Sequence, residues 1–265
     1  MKRITLTTDF GLTDWFVGTM KGVILTIQPH AVIVDLNHGI PRGNIQAGAF
    51  SLAASYDCFP RQTIHVAVVD PGVGSRRPAI AVQTTNYFFV GPDNGVLSLA
   101  LSRERIKTIR RLDNEKYFLP PVSYTFHGRD IFAPVAAHLS KGLPMRGLGS
   151  EQKDYFDTGW AVAGKEKNAQ RIRGEVIYID QFGNAITNIP HDQLRSHETC
   201  TISIRGKFSC PVRRFYEEGQ ARKLTGILGS NGLLELAVKN GSATEKFGLK
   251  VGDDVIVKRH SAHRE

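Results

Sequence analysis

Strand-like and helix-like segments alternate over the first 145 residues, and this alternation restricts the fold more than any other feature. Apolar runs predict strands at 4–8, 31–36, 63–69, 79–84 and 87–90. Helices are predicted at 15–27, with Asp14 as N-cap, and at 44–56, 95–102 and 131–140. The nearly continuous apolar run at 31–36 is typical of a strand covered on both faces. The alternation therefore predicts an α/β fold, a mostly parallel sheet with helices on both faces.

The pattern changes after Gly142. Residues 142–170 are rich in Gly, Lys and Asp with little periodicity, so we expect the linker there. Later β-type runs at 175–180, 199–204, 224–228, 233–238 and 254–258 are separated by Gly and Asn turns, with no convincing helix among them. This spacing predicts a smaller all-β barrel. We therefore predict an N-terminal α/β domain at 1–165 and a C-terminal β-barrel domain at 166–265.

Charge and cysteine content narrow the class of protein. The formal net charge of +9 fits either a solvated basic surface or an anionic partner. Three widely spaced cysteines argue against a disulfide scaffold and a structural zinc site, and favour a reducing compartment. The N-terminus has no apolar signal region, and no run of 18 apolar residues occurs. We therefore expect a cytoplasmic protein that does not span a membrane.

Acidic residues close three predicted strands or follow them directly: Asp9, Asp35 and Asp70. Ligands of open α/β sheets bind beyond the carboxyl ends of the strands, so these side chains are candidates for one polar pocket. The alternative is that each aspartate caps the helix or turn that follows.

The loop after the third strand, VDPGVGSRR at 69–77, is the most distinctive segment. Asp70 and Arg77 lie seven residues apart on it, close enough to pair. A Gly-rich loop with basic residues also suits phosphate, but the spacing is not that of a Walker A loop. A simple connecting turn is the alternative.

Polar residues before a predicted helix form another candidate. His127 stands next to Gly128, which permits close approach to the backbone, and Asp130 is predicted to cap the helix. His65 and His138 fall inside a strand and a helix, where we expect structural roles. The sequence contains no HExxH and no His or Asp/His cluster, so we predict no metal site.

Two polar turns in the second half could carry chemistry or simply join strands. One runs from Asp180 to Asn184, and the other contains Ser230 and Asn231 and leads into a strand that carries Glu235.

Six strings together resemble the S-adenosylmethionine (SAM) hydroxide adenosyltransferase family, which comprises adenosine-forming SAM hydrolases related to the fluorinase and chlorinase. They are TTDFG at 7–11, VVDPGVGSxR at 68–77, FVGPDNG at 89–95, TFHGRDIFAP at 125–134, DxFGNxxTN at 180–188 and GSNGLLELAVKNGSA at 229–243. They span nearly the whole chain in the family's order.

The resemblance implies an N-terminal α/β domain, a C-terminal β-barrel and a homotrimer with active sites between subunits. It implies that water cleaves SAM at the ribose C5′ to give adenosine and L-methionine, without a cofactor. The catalytic set of the family falls on Asp70, Arg77 and His127, and the ligand of the ribose hydroxyls falls on Asp9. The remaining substrate contacts that the resemblance implies are Asp180, Asn184, Ser230 and Asn231 at the ribose and methionine end, with Glu235 and Val238 near adenine or the adjoining pocket wall.

The halogenating relatives carry Tyr at the position of Asp70 and Ser at that of Gly128, so this sequence matches the hydrolases at both. The expected roles are that Asp70 acts on the water, Arg77 orients Asp70, and His127 fixes the water. Whether Asp70 removes the proton or only orients the water stays open.

Two other classes of function remain as alternatives. A non-catalytic adenosine or SAM sensor would not need the catalytic set, which is intact here. A nucleic-acid-binding barrel would suit the net charge, but Arg213, Arg214, Arg222 and Lys223 are not interleaved with an aromatic platform. We therefore predict SAM as the partner, with neither nucleic acid nor membrane.

Overall fold

The chain forms two units by its internal contacts, Met1–Gly159 and Trp160–Glu265. The structure, a computed structural model, describes residues 2–160, 171–194 and 200–259, together with the backbone of residues 164–165. The predicted boundary between residues 165 and 166 falls at the edge of an undescribed stretch, so it stays a prediction. Two pieces of the predicted linker belong to the first unit, a short helical turn at Met145–Gly147 and a strand at Glu151–Gln152.

A seven-stranded sheet forms the centre of the first unit. Its strands are β1 (Arg3–Thr8), β2 (Val32–Asn37), β3 (Ile64–Val68), β4 (Ala79–Thr84), β5 (Phe88–Pro92), β6 (Ile106–Arg111) and β7 (Glu151–Gln152). The order across the sheet is β2-β1-β3-β5-β4-β6-β7, and the pairings among β2, β1, β3 and β5 are parallel. β4 and β7 run against the other five strands. The predicted mostly parallel sheet is therefore confirmed.

Four helices cover the sheet as two pairs. They are α1 (Phe16–Ile27), α2 (Ile45–Ala53), α3 (Ser98–Leu101) and α4 (Ala133–Ser140). α1 packs on α4, and α2 packs on α3. Ile4 and Leu6 of β1 share one core with Met20 and Ile24 of α1, and all four side chains are fully buried. Each such side chain contributes about 1.5–3 kcal/mol to stability.

Local details of the first unit differ from the predictions. β2 is not covered on both faces, because it is an edge strand whose residues are all at least partly exposed. Asp14 is not the N-cap of α1, since Trp15 holds that position and no side chain caps the helix. By contrast, Asn44 caps α2 by accepting a hydrogen bond from the Ala47 N–H at 3.0 Å.

A closed barrel makes up the second unit. Its strands are β8 (Gly164–Lys165), β9 (Arg171–Ile179), β10 (Ala185–Pro190), β11 (Cys200–Ile204), β12 (Phe208–Arg213), β13 (Leu224–Leu228), β14 (Leu233–Val238) and β15 (Asp254–Arg259). The order is β10-β14-β13-β12-β11-β15-β9-β8, and a further pairing between β9 and β10 closes seven of the strands into a ring. The predicted small barrel is confirmed.

The barrel contains elements that the sequence pattern did not predict. β10 and β12 were missed, and a short helix, α5 (Ala243–Phe247), follows β14. Ser242 caps this helix by accepting a hydrogen bond from the Glu245 N–H at 3.1 Å. β10 pairs with β14, which is far away in sequence, whereas β12 pairs with its neighbours in the chain, β11 and β13.

Candidate active site

The carboxyl ends of adjacent parallel strands bring two predicted site residues to one edge of the sheet. Asp9 directly follows β1, and Asp70 comes two residues after β3, which is hydrogen-bonded to β1. This is the edge where ligands of open α/β sheets bind. Asp35 lies within β2 and contacts Lys21 on α1 at 2.6 Å.

Asp70, Arg77 and His127 form one line of contacts. Arg77 Nε donates to both carboxylate oxygens of Asp70, at 2.9 Å and 3.0 Å, and Arg77 Nη2 donates to Oδ2 as well. The same Nη2 contacts His127 Nδ1 at 2.9 Å. The Asp70 and Arg77 side chains are only 4% and 11% exposed. A bidentate guanidinium contact of this kind fixes the carboxylate in both position and orientation.

The contact with Arg77 also determines the protonation of His127. A guanidinium only donates hydrogen bonds, so Nδ1 must be the acceptor and the ring proton of the neutral form sits on Nε2. Burial lowers the pKa of His127, and the positive charge of Arg77 lowers it further. The charges of Asp70 and Asp130 and a hydrogen bond with the Ser123 backbone oppose this shift without reversing it. His127 is therefore a neutral ring at neutral pH.

Glycine in the loop after β3 allows this loop to meet the segment that carries His127. Gly74 has φ +77°, and a Cβ placed there would lie 2.3 Å from the Tyr124 carbonyl oxygen. Only glycine permits both that backbone conformation and that approach. The loop is thus in close contact with the segment that carries His127.

A buried carboxylate holds the His127 segment in shape. Asp130 is fully buried, and its Oδ2 accepts hydrogen bonds from the Ser123 N–H at 2.9 Å and the Ser123 hydroxyl at 2.7 Å. Arg129 pairs with Asp130 Oδ1 at 2.5 Å. The predicted N-cap role is wrong, because Asp130 lies inside a π-helical turn, Gly128–Phe132, that leads into α4. Its role is structural, as expected.

Asp9 is half-buried, and its carboxylate oxygen Oδ2 accepts a hydrogen bond from the Gly43 N–H at 2.7 Å. The other oxygen, Oδ1, has no partner among the described residues, so it can accept a hydrogen bond from a ligand. One oxygen of Asp9 is therefore held by the Gly43 backbone, and the other is available to a ligand.

The predicted site residues of the second unit cluster around two turns of the barrel. The Asp180 carboxylate accepts hydrogen bonds from the Asn184 N–H at 2.9 Å and from the Asn184 side chain at 3.0 Å. Glu235 is 6% exposed and accepts a hydrogen bond from the Tyr216 hydroxyl. Burial raises the pKa of Glu235, and the charge of Asp180 adds to this effect, although the Tyr216 hydrogen bond opposes it.

The turn between β13 and β14 carries the other two predicted residues. Asn231 Oδ1 accepts a hydrogen bond from the Leu233 N–H at 3.0 Å, and Ser230 is exposed. A Cβ at Gly229 would lie 3.0 Å from Asn231 Oδ1 and 3.1 Å from Glu235 Oε2, so this turn sits against the Glu235 carboxylate.

Beside this cluster, the barrel surface has a cavity of about 520 Å³. Its lining includes the predicted residues Asn184 and Val238 together with two aromatic side chains, Phe182 and Tyr216. Phe182 is 78% exposed and Tyr216 46% exposed. Sequence reasoning gave these aromatic residues no role, although Phe182 stands within the DxFGN string.

A second concavity of the barrel, which we call the basic groove, is lined by Lys207, Arg213, Arg222, Lys223 and Glu218 among others. The groove brings together three of the basic residues noted in the sequence. Phe208 and Phe247 at its wall pack edge to face with ring centroids 5.3 Å apart, and Arg205 and Lys207 lie over the Phe208 ring. A free stacking platform is therefore not evident at Phe208.

The described part of the chain shows neither a metal-binding cluster nor a membrane-spanning helix. No group of three or more His, Cys, Asp or Glu residues in it is arranged to hold a metal ion. None of its helices combines the length and apolar character needed to cross a bilayer.

Comparison with known proteins places this geometry in a family. A model of the SAM hydroxide adenosyltransferase N-terminal domain matches residues 4–149, and a model of the C-terminal domain of the same family matches residues 174–256. An (R)-S-adenosyl-L-methionine hydrolase from Thermus thermophilus is 38% identical over 259 residues, covering 95% of this chain and 98% of that protein.

Two further comparisons agree with this family assignment. A fluorinase from Nocardia brasiliensis is 24% identical over 96% of each chain. The crystal structure of an uncharacterised conserved protein from Thermotoga maritima matches with a TM-score of 0.90 and 36% identity, covering 97% of this chain and all of that one. With both family models matched and a relative at 38% identity along nearly its full length, this chain belongs to the SAM hydroxide adenosyltransferase family.

Proposed function

We propose that this protein hydrolyses SAM to adenosine and L-methionine. The observation that carries the proposal is the contact line Asp70–Arg77–His127 in a chain that belongs to this family. The hydrolase relatives from Thermus thermophilus and Methanocaldococcus jannaschii support the same reaction, at 38% and 35% identity. A non-catalytic sensor would have no use for a buried carboxylate held by two nitrogens of one arginine.

The chemistry requires activation of water rather than of the leaving group. The water oxygen bonds to the ribose C5′ as the C5′–S bond breaks, and the electron pair of that bond stays on sulfur. Methionine then leaves as a neutral thioether, and one proton of the water is released. Because the sulfonium loses its charge in this step, a site with little solvent favours the reaction. The reaction as proposed needs neither cofactor nor metal.

Each catalytic residue has a role that fits its contacts. Asp70 accepts a hydrogen bond from the attacking water and receives or directs its proton. Arg77 fixes the Asp70 carboxylate so that the water is held in line with the C5′–S bond. His127, neutral and bonded through Nδ1, holds the other side of Arg77.

The remaining predicted residues are proposed as substrate contacts. Asp9 accepts hydrogen bonds from the ribose hydroxyls through its free oxygen. Asp180, Asn184, Ser230 and Asn231 line the ribose and methionine end, with Glu235 and Val238 near adenine. The cavity beside Asn184 has the size and the aromatic lining that suit a purine base.

We also propose a homotrimer with active sites between subunits, located in the cytoplasm. Light scattering of the purified protein tests the trimer. A mixing experiment tests whether sites are shared between subunits. Two variants that are expected to be inactive alone, Asp70→Asn and Asn184→Ala, are unfolded and then refolded together. If sites form between subunits, the mixture regains part of the activity. If each chain holds a complete site, the mixture stays as inactive as its parts.

Incubation with SAM in oxygen-18 water tests the reaction itself. The proposal predicts adenosine labelled at O5′ together with unlabelled methionine, detected by mass spectrometry, and the same yield after treatment with a chelator. Label in methionine, or loss of turnover on chelation, would contradict the mechanism. Tight SAM binding without any product would favour the sensor.

A further inference from the structure

His38 lies directly after β2 and contacts the end of β1, where Asp9 begins its loop. The His38 side chain is only 2% exposed. Its Nδ1 forms a hydrogen bond with the Thr8 hydroxyl at 2.8 Å, and Thr8 is fully buried. Thr8 immediately precedes Asp9, so this contact fixes the backbone from which the Asp9 side chain departs.

The same histidine also holds the far side of Asp9. The His38 carbonyl oxygen accepts a hydrogen bond from the Gly11 N–H at 2.8 Å. Between these contacts, the Thr8 hydroxyl oxygen accepts a hydrogen bond from the Phe10 N–H at 3.3 Å. The Asp9 loop, residues 9–11, is therefore bound at both ends to a single residue of the neighbouring strand end.

The charged group behind the ring favours one tautomer of His38. His38 Nε2 lies 3.1 Å from Asp35 Oδ1, and the other oxygen of that carboxylate accepts a hydrogen bond from Lys21 at 2.6 Å. Burial alone would raise the pKa of Asp35, but the contacts with Lys21 and His38 outweigh it and lower the pKa. An ionised carboxylate beside Nε2 favours the ring proton on that nitrogen, which leaves Nδ1 as an acceptor. The Thr8 hydroxyl then donates to Nδ1, and its lone pairs remain free for the Phe10 N–H.

We infer that His38 is a positioning residue for substrate binding, because it holds Asp9 where its free carboxylate oxygen can accept from the ribose hydroxyls. The inference rests on the proposed function, in which Asp9 is the ribose ligand. His38 touches neither the proposed catalytic set nor the substrate, so it acts on binding rather than on the chemical step. Asp35 and Lys21 support it by selecting the tautomer.

Substitution of Thr8 tests this role with little change in shape. Thr8→Val removes the hydroxyl and keeps the volume, whereas Thr8→Ser keeps the hydroxyl. We expect Thr8→Val to raise the dissociation constant for adenosine and the KM for SAM by about tenfold, the effect of one lost hydrogen bond on a charged ligand group. The kcat should stay within about twofold, and Thr8→Ser should bind like the wild type. His38→Ala should match Thr8→Val, and Thr8→Val carries the test if His38→Ala does not fold.

A matched control exists on the same strand. Thr5 forms the same kind of hydrogen bond, 2.8 Å to His65 Nδ1, and is equally buried, but it lies three residues further from the Asp9 loop. Thr5→Val should lose similar stability and leave adenosine binding unchanged. Equal weakening by Thr5→Val and Thr8→Val would show a general loss of stability and overturn the inference.

Hydrogen–deuterium exchange reports the position of Asp9 without activity. The Gly43 N–H donates to Asp9 Oδ2, so Thr8→Val should speed exchange in the peptide that contains Gly43, and Thr5→Val should not. Asp9→Asn separates the two proposals. If it leaves adenosine binding intact, the ribose role of Asp9 fails, and Gly43 exchange alone then decides the positioning role. If Asp9→Asn weakens binding but Thr8→Val changes neither binding nor exchange, the role of His38 is refuted.

Discussion

Asp70→Asn keeps the shape of the side chain and removes its charge, so it separates the action of the carboxylate from the space that it fills. In the native protein the two carboxylate oxygens accept three hydrogen bonds from two N–H groups of Arg77, at Nε and Nη2. Asparagine offers only one oxygen, and its amide N–H groups would face the donors of the guanidinium. At most part of the native contact can re-form.

The structure gives the size of both expected effects. Breaking a buried ion pair by removing one partner destabilises a protein by about 3–5 kcal/mol. We expect a loss of about 3 kcal/mol, at the lower end, because Arg77 keeps its contacts with His127 at 2.9 Å and the Pro78 carbonyl at 3.4 Å. Loss of a positioned base lowers kcat by about 100-fold or more. Because the proposed mechanism places Asp70 against the water rather than SAM, the dissociation constant for SAM should change by less than about threefold.

Three measurements check these values: adenosine release for kcat, calorimetry for SAM binding, and urea unfolding for stability. Glu151→Gln is the control, since it removes a carboxylate of the same unit that lies 3.7 Å from Arg110 at the surface, where an ion pair contributes less than about 1 kcal/mol. A kcat near the wild-type value in Asp70→Asn would refute the reasoning. Asp70 would then be neither the base nor an essential charge, and catalysis would rest on placing water opposite sulfur.

Three further predictions address stability and partners. Burial lowers the pKa of His65 to about 3, whereas the unfolded chain takes up that proton near pH 6.5. Stability should therefore fall by about 2.5 kcal/mol from pH 7 to pH 4.5. His65→Gln should remove that part of the loss in urea unfolding, and an unchanged pH dependence would contradict the reasoning. Gly128→Ser should lower the melting temperature, because a Cβ there would meet the Met20 sulfur and the Phe126 ring at 3.2 Å each. Gly22→Ala should not lower it, because a Cβ at Gly22 would meet nothing within 4 Å. Equal melting temperatures for Gly128→Ser and wild type would show that the neighbouring side chains move without cost. Labelled single-stranded DNA should not be retained by the basic groove in a gel shift at physiological salt, and a salt-sensitive shift would revive the nucleic-acid alternative.

Much of the fold follows from local pattern. The apolar run around β3 and the alternation of strands with helices were sufficient to predict the sheet, and the predicted bounds of β13 and β14 match the structure. β10 was not predicted because its buried and exposed residues do not alternate and it ends in a proline. β12 does alternate, with Cys210 and Val212 buried, but Pro211 within the run argued against a strand. The burial of β2 was misjudged because an apolar run does not reveal whether a strand lies at the centre or the edge of a sheet.

Some of the candidate site residues could likewise be predicted from local sequence, and others could not. Seven residues on one loop separate Asp70 from Arg77, so their pairing was visible in the sequence, and the structure contains it. His127 lies fifty residues further along, and only the resemblance to a family connected it with the others. The sequence did not point to His38, because a single histidine in the string LNHG is most simply interpreted as a structural residue. Its position between Thr8 and Asp35 depends on the register of two adjacent strands, which pattern analysis does not supply.

Because Asp70 and His127 both contact Arg77, the proposed catalytic side chains are not independent of one another. Asp70 and His127 both bond the same guanidinium nitrogen, Nη2, so each depends on Arg77 for its place and each limits its rotation. His127→Ala should therefore lower kcat in the wild type by loosening Arg77, but should have little further effect once Asp70→Asn has removed the group that Arg77 orients. The double variant should be less impaired than the product of the two single effects by about tenfold or more. Independent, multiplying effects would mean that His127 acts on the water itself rather than through Arg77.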